Sequence, residues 1–337
     1  MKKLSLSLLL LLSILCSNAQ WPPTDPAFYQ QGQLFLHGFD LIGFTNRGAS
    51  LVVGGIDTGV NLYPDLEGRI YPGMNFYDNK RDTRDSWGHG TGTTSLAVSN
   101  ANNGWGGVGA LCEARVAPMA CYPVLQTTGV SGLKVQEAIA DAIKWAGRKR
   151  IKALWLDFGF DGWIPTVVGN AIRRYNGVVC LAAGNGNYLG YFAPLWQENP
   201  YPNVCIVSGW NWQESNRGPA GDFGPAIDLV ASFQNFFSAE VGPNWLSIGL
   251  GTSGSAPLVA CAAALVYQQH PTWTPAQVIA HLKATATDVW EPGFDERTGA
   301  GLLNAWAAVG GGFTFLRPQP RPTGLILQYN MVLPSGH

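Results

Sequence analysis

The chain has 337 residues, 46% hydrophobic and 13% charged, with a formal charge of −1 at pH 7. No basic patch points to nucleic acid and no run of like charges points to a disordered tail. The length is sufficient for one large, well-buried domain.

The first residues, MKKLSLSLLLLLSILCSNA, join two lysines, an apolar run and small residues. This is the pattern of a secretory signal, too short for a spanning helix. Ser17-Asn18-Ala19 sets cleavage before Gln20, and Leu15 is too bulky for lipidation at Cys16. Removal of residues 1–19 takes Lys2 and Lys3 and leaves 19 basic against 22 acidic residues, a charge of −3. The expected product is a soluble, secreted protein with no membrane span.

Apolar runs bounded by turn residues then recur at 51–57, 114–124, 151–159, 177–184, 203–209 and 226–232. Their continuous rather than alternating hydrophobicity predicts strands of a parallel sheet covered on both faces. Amphipathic stretches at 132–149 and 164–175 lie between them. The repetition predicts a single-domain α/β fold with a doubly wound, mostly parallel sheet and helices on both faces. After residue 252 the pattern reads as helix, a break at "HPTWTP", and helix again. The domain is expected over 20–311, with an irregular, proline-containing tail at 312–337.

Five cysteines remain in the mature chain, an odd number that leaves at least one thiol free. Cys112 and Cys121 flank an extended segment that would separate them by roughly 30 Å, beyond disulfide reach. Cys180 and Cys205 lie in strand-like runs and are more plausible neighbours. Buried free thiols are the expectation for most of the five.

In a parallel sheet, reactive residues lie at the carboxyl ends of strands and at the helix starts that follow. Asp57 ends the first strand in "GGIDTGV", His89 opens a helical segment in "WGHGTGTTSLA", and Ser253 opens another in "GLGTSGSAPLVA". Each alone is ordinary turn or cap chemistry. Together they supply a hydroxyl nucleophile, a base and a carboxylate to orient the base. A helix start at Ser253 aims free N–H groups at a developing oxyanion, and Pro257 is read as a first-turn proline. Asn185 in "LAAGNGN" adds a second oxyanion donor, with Gly184 allowing close backbone approach.

The order Asp57, His89, Asn185, Ser253, with "DTG", "HGT", "AAGN" and "GTSGSAP", resembles the subtilisin-like serine peptidases. The resemblance runs from about residue 25 to "GAGLLNAWAAV" at 299–309, and 23–31, 101–116 and 255–282 look closest to kexin-type members. With 28 residues after "NAWAAV" and 37 from Gln20 up to Asp57, neither the domain that follows a kexin catalytic domain nor an inhibitory prodomain is expected in this sequence. Gly55, Thr93 and Cys261 depart from the family pattern without removing a chemical group.

The resemblance implies a secreted serine endopeptidase acting on polypeptides through an acyl-enzyme, expected to be a monomer. The competing readings are an inactive homologue that binds proteins and a ligase or cyclase using the same triad. Asp157, Phe158, Gly159 and Asp161 in "LDFGFDGW" match the pocket wall, with Asp161 the inward carboxylate and Gly184 across from it. One carboxylate in an aromatic setting predicts broad or apolar preference before the cut. The family's strong calcium site is matched by Asp25, Asp65 and Asn103, with carbonyls from Asn100, Trp105 and Gly107. Asp78, Asp82 and Asp85 form a second, weaker candidate.

Overall fold

The computed structural model describes residues 21–124, 130–158, 164–187, 199–238 and 246–311. Helices α1 (Gly32–His37) and α2 (Phe39–Ile42) precede strand β1 (Val52–Asp57). Then come β2 (Met74–Asn75), α3 (His89–Val98), β3 (Arg115–Ala120), α4 (Gly132–Lys149), β4 (Ala153–Leu156) and α5 (Thr166–Arg173). Strands β5 (Val178–Ala182), β6 (Val204–Asn211), β7 (Gly218–Ala220) and β8 (Leu229–Ser232) complete the main sheet. The hairpin β9 (Gln234–Ser238) and β10 (Leu246–Leu250) leads into α6 (Thr252–Gln269), α7 (Pro275–Ala284) and α8 (Ala305–Ala308). The six apolar runs of the sequence become β1, β3, β4, β5, β6 and β8.

The sheet order is β2-β3-β1-β4-β5-β6-β7, with β8 also paired to β6. Every pairing is parallel except β6 with β7. Alternate strand residues feed opposite cores, as the two-residue repeat of a strand requires. Val53, Trp155, Cys180 and Val207 pack with the apolar body of α6 and the end of α3. Ile56, Leu154, Leu156, Val179 and Leu181 pack with α4 and α5 on the other face. Both faces are covered, which accounts for the unbroken hydrophobicity of the runs.

Gly55 is small for a packing reason. A Cβ there would lie 2.4 Å from a ring carbon of Trp155 on β4, so the tryptophan occupies the space an aliphatic side chain would fill. The "HPTWTP" break separates α6 from α7, where Thr274 and Gln277 form a reciprocal capping box ahead of Pro275. Pro257 departs from the first-turn reading. It is the sixth residue of α6, so the helix continues through a proline whose absent N–H leaves the Ser253 carbonyl without its usual partner. All five cysteines are buried and free, and Cys180 and Cys205 face each other in register across β5 and β6. His37 is a core histidine: its Nδ1 lies 2.8 Å from the Leu303 carbonyl, and the Ser232 N–H donates to Nε2 at 3.0 Å.

Candidate active site

Strand β1 ends at Asp57, which is buried. Helix α3 begins at His89, after Gly88 turns the chain at φ +80°. That entry is organised by Asp85, whose carboxylate accepts from the backbone N–H groups of Trp87, Gly88 and Thr91 and from the hydroxyls of Thr58 and Thr91. Gly90 must be glycine, because a Cβ would sit 2.2 Å from the Gly59 carbonyl. The result brings His89 Nδ1 to 2.7 Å from Asp57 Oδ1.

Asp57 also accepts the Thr58 N–H at 2.7 Å on Oδ1 and the Thr93 hydroxyl at 2.8 Å on Oδ2. Burial alone would raise its pKa, but the charge and hydrogen bond of His89, with the Thr58 and Thr93 donors, carry it below the ordinary carboxylate value. The Asp57 charge in turn raises His89 above the usual imidazole value, against the opposing effect of burial. Thr93 is therefore more than a packing departure: it donates to the carboxylate that orients the histidine.

Ser253 is half-buried at the second position of α6. Its surroundings are locked to the end of β5. Asn185 Oδ1 accepts from the Thr252 N–H at 2.8 Å and the Thr252 hydroxyl at 3.1 Å, while the Gly184 N–H donates to the same hydroxyl at 3.0 Å. With Oδ1 so occupied, the Asn185 amide nitrogen is turned past Gly251, where a Cβ would meet it at 3.0 Å. Gly251, at φ +144°, makes that approach possible. Helices α3 and α6 pack together, so His89 and Ser253 open adjacent helices at one end of the sheet.

Asp157 and Phe158 follow β4. Ile56 pairs with Leu156, so the parallel register brings Asp157 beside Asp57. Asp57, His89 and Asp157 each offer a ligand-type atom within 4.8 Å of the others. Both Asp157 oxygens are shut from solvent and accept no hydrogen bond, and the carboxyl group lies within hydrogen-bonding range of Asp57. Asp157 therefore lies against the Asp57–His89 pair, a placement that pocket matching missed and that the aligned "GGID" and "LWLD" strand ends could have signalled. Phe158 stacks on Tyr122 at 5.4 Å and 5°, and Tyr122 meets the exposed Trp87 ring edge-on at 5.6 Å. This builds an aromatic platform next to His89. Gly159 and Asp161 lie outside the described residues.

The calcium candidates divide. Asp65 is fully buried and accepts the Asn103 side-chain amide at 2.9 Å, in a loop turned by Asn102, Gly104 and Gly106 at positive φ. Asp25 is engaged differently, accepting the backbone N–H groups of Asn102, Asn103 and Gly104. The Asn100 side chain is held by Arg69 and the Glu67 carbonyl. Gly107 lies close against Gln31, whose side chain exchanges two hydrogen bonds with Val108 beyond it, and Trp105 N–H donates to Asn103 Oδ1. The weaker trio is not assembled: Asp78 accepts from Val124, Asp82 pairs with Arg84, and Asp85 is fully used at the His89 turn.

A subtilase family model matches residues 48–301. The chain belongs to the subtilase family. It is 33% identical to Subtilisin Savinase of Lederbergia lenta over 269 residues, covering 79% of this chain and 92% of that protein. An alkaline protease of Shouchella clausii is equally similar, and the match spans 65% of its length. Among solved structures, a protease from Pseudoalteromonas arctica superposes with a TM-score of 0.68 at 26% identity, over 86% of this chain and 98% of that one. This subtilase is accordingly a serine endopeptidase with a single-domain α/β subtilisin fold.

Proposed function

We propose that this peptidase works through Asp57, His89 and Ser253, with Asn185 as an oxyanion donor. The observation that carries the reading is the 2.7 Å contact of His89 Nδ1 with the buried Asp57, at the sheet end where Ser253 opens α6. His89 donates its Nδ1–H to Asp57, which leaves Nε2 to take the Ser253 proton as Oγ attacks the scissile carbonyl. The imidazolium then protonates the leaving amine, and water hydrolyses the acyl-enzyme by the reverse sequence. The Ser253 N–H and the Asn185 amide stabilise the oxyanion, and Thr252 fixes the direction of that amide. The aromatic platform of Phe158, Tyr122 and Trp87 favours polypeptides with apolar side chains near the cut.

The leader-like pattern of residues 1–19 and the similarity to subtilisins and alkaline proteases support action outside the cell. No helix of the described residues is long and apolar enough to cross a membrane. Calcium, when bound, would be held by Asp65 and Asn103 with carbonyls of the Trp105–Gly107 turn, and would supply a fixed positive charge that ties this loop down. Melting in millimolar calcium and in excess chelator tests it: wild type should melt higher with calcium and Asp65→Ala should not respond. Equal wild-type melting in both solutions rejects the site.

The catalytic reading is tested with purified Ser253→Ala on an unstructured protein substrate. Hydrolysis should fall to background while the far-ultraviolet spectrum and melting temperature stay near wild type. Undiminished hydrolysis would remove Ser253 from the reaction.

A further inference from the structure

We propose that Asp157 is a positioning residue for the catalytic pair: it keeps its proton at neutral pH and presents it to Asp57, so that Asp57 is held by a second carboxyl as well as by His89. The inference rests on the reading of Asp57 and His89 as catalytic.

The geometry is set by the backbone. Strands β1 and β4 run parallel with Ile56 opposite Leu156, and the Asp157 N–H reaches the Ile56 carbonyl at 3.4 Å. The two next residues are Asp57 and Asp157, neighbours across adjacent parallel strands with side chains on the same face. Two carboxylates enclosed this closely cannot both stay ionised, because their repulsion is poorly screened away from water. One proton must remain on the pair.

Its location follows from the partners. Asp57 accepts from His89, the Thr58 N–H and the Thr93 hydroxyl, three donors that favour its charged form. Asp157 receives none, and its two oxygens are enclosed. Burial first, and the Asp57 charge second, push the Asp157 carboxyl well above the ordinary range. The titratable groups around the pair are Asp57 on β1, His89 on α3 with Asp85 behind it, Cys121 after β3 and Cys180 on β5. Cys121 is itself held as a neutral thiol by burial. Among the described residues, a protonated Asp157 therefore has one strong acceptor in reach, the Asp57 carboxylate.

Two consequences separate this role from mere packing. The shared proton draws charge from Asp57 and moderates its pull on His89. At alkaline pH, loss of that proton places a second negative charge beside the pair and removes a donor from Asp57.

The experiment compares kcat/KM against pH for wild type, Asp157→Asn and Asp157→Ala. Asparagine keeps a neutral donor, so neutral-pH activity should stay within about threefold and the acidic limb should not move. The alkaline inflection of wild type should disappear. Alanine should cost about tenfold, the factor for 1.36 kcal/mol, as expected when a hydrogen bond to a charged group is lost. An acidic limb shifted to lower pH in Asp157→Asn, the sign of a removed negative charge, would overturn the proposal. So would an alkaline inflection that persists in that variant.

A readout independent of catalysis is the infrared carbonyl band of a protonated carboxylic acid at pH 8, measured in an Asp40→Asn background. That background removes Asp40, a buried carboxyl that burial raises to about 7. The band should be present and should vanish on adding Asp157→Asn, or Asp157→Ser where asparagine does not fold. No band overturns the assignment. A band in a protein without peptidase activity overturns only the catalytic reading on which it rests.

Discussion

Asp25 and Asp157 are both enclosed carboxyl groups, and they sit in opposite circumstances. Asp25 accepts three successive backbone N–H groups from the 102–104 loop. Asp157 accepts none and faces another carboxylate. Burial raises both, but at Asp25 the backbone donors oppose it, whereas at Asp157 the Asp57 charge adds to it. A buried acid that gathers backbone donors is scaffold. One set against a second acid beside a histidine is chemistry, because its ionisation changes what the neighbour can do.

The same division runs through the molecule and can be broken by substitution. The largest expected effect is at the catalytic end. Asn185→Ala should lower kcat by about 10²–10³, the loss typical of one oxyanion donor, with little change in KM. Its melting temperature should change far less than its rate, since Asn185 is exposed. A variant as active as wild type would place the oxyanion elsewhere.

At the loop, Asp25→Ala should do the reverse. It orphans three N–H groups and should cost about 1–3 kcal/mol in chemical denaturation while kcat stays near wild type. An equal loss of kcat would erase the contrast between the two regions.

The smallest effect is a pH dependence that belongs to the scaffold. Burial lowers His37 to about 4 from 6.5, despite its bond to the Leu303 carbonyl. The unfolded chain thus takes up a proton that the folded chain refuses. Stability from this group is full above pH 6.5 and is lost as pH falls from 6.5 towards 4. Melting of the inactive Ser253→Ala protein should fall across that window, and His37→Gln should flatten the slope. An unchanged slope would place the titration on another group.

Much of this was legible in the sequence, and the remainder was not, for identifiable reasons. Continuous apolar runs gave the strands because both faces of the sheet are covered. Asp57, His89 and Ser253 stood out because each follows a strand or opens a helix. The first-turn reading of Pro257 fails although the helix start is legible to within one residue: counted from Ser253 or from Thr252, Pro257 already lies beyond the first turn. Gly55 and Thr93 read only as departures from the family pattern, yet Gly55 answers to Trp155 and Thr93 to Asp57, and such pairings depend on which elements are neighbours in the fold. Asp157 was assigned to a pocket wall because motif matching is linear, whereas its role comes from register across β1 and β4. The Asp25 reading met the same limit: an acid placed near a glycine-rich loop can bind an ion or bind the loop itself.

The central claim is that Ser253 is the nucleophile that His89 activates. Labelling with a fluorophosphonate, followed by peptide mapping in a mass spectrometer, tests it directly. One adduct should appear on Ser253 in wild type, with labelling slowed by orders of magnitude in His89→Ala. Wild-type protein that is folded and unmodified at Ser253, or labelled at the same rate without His89, would contradict the account.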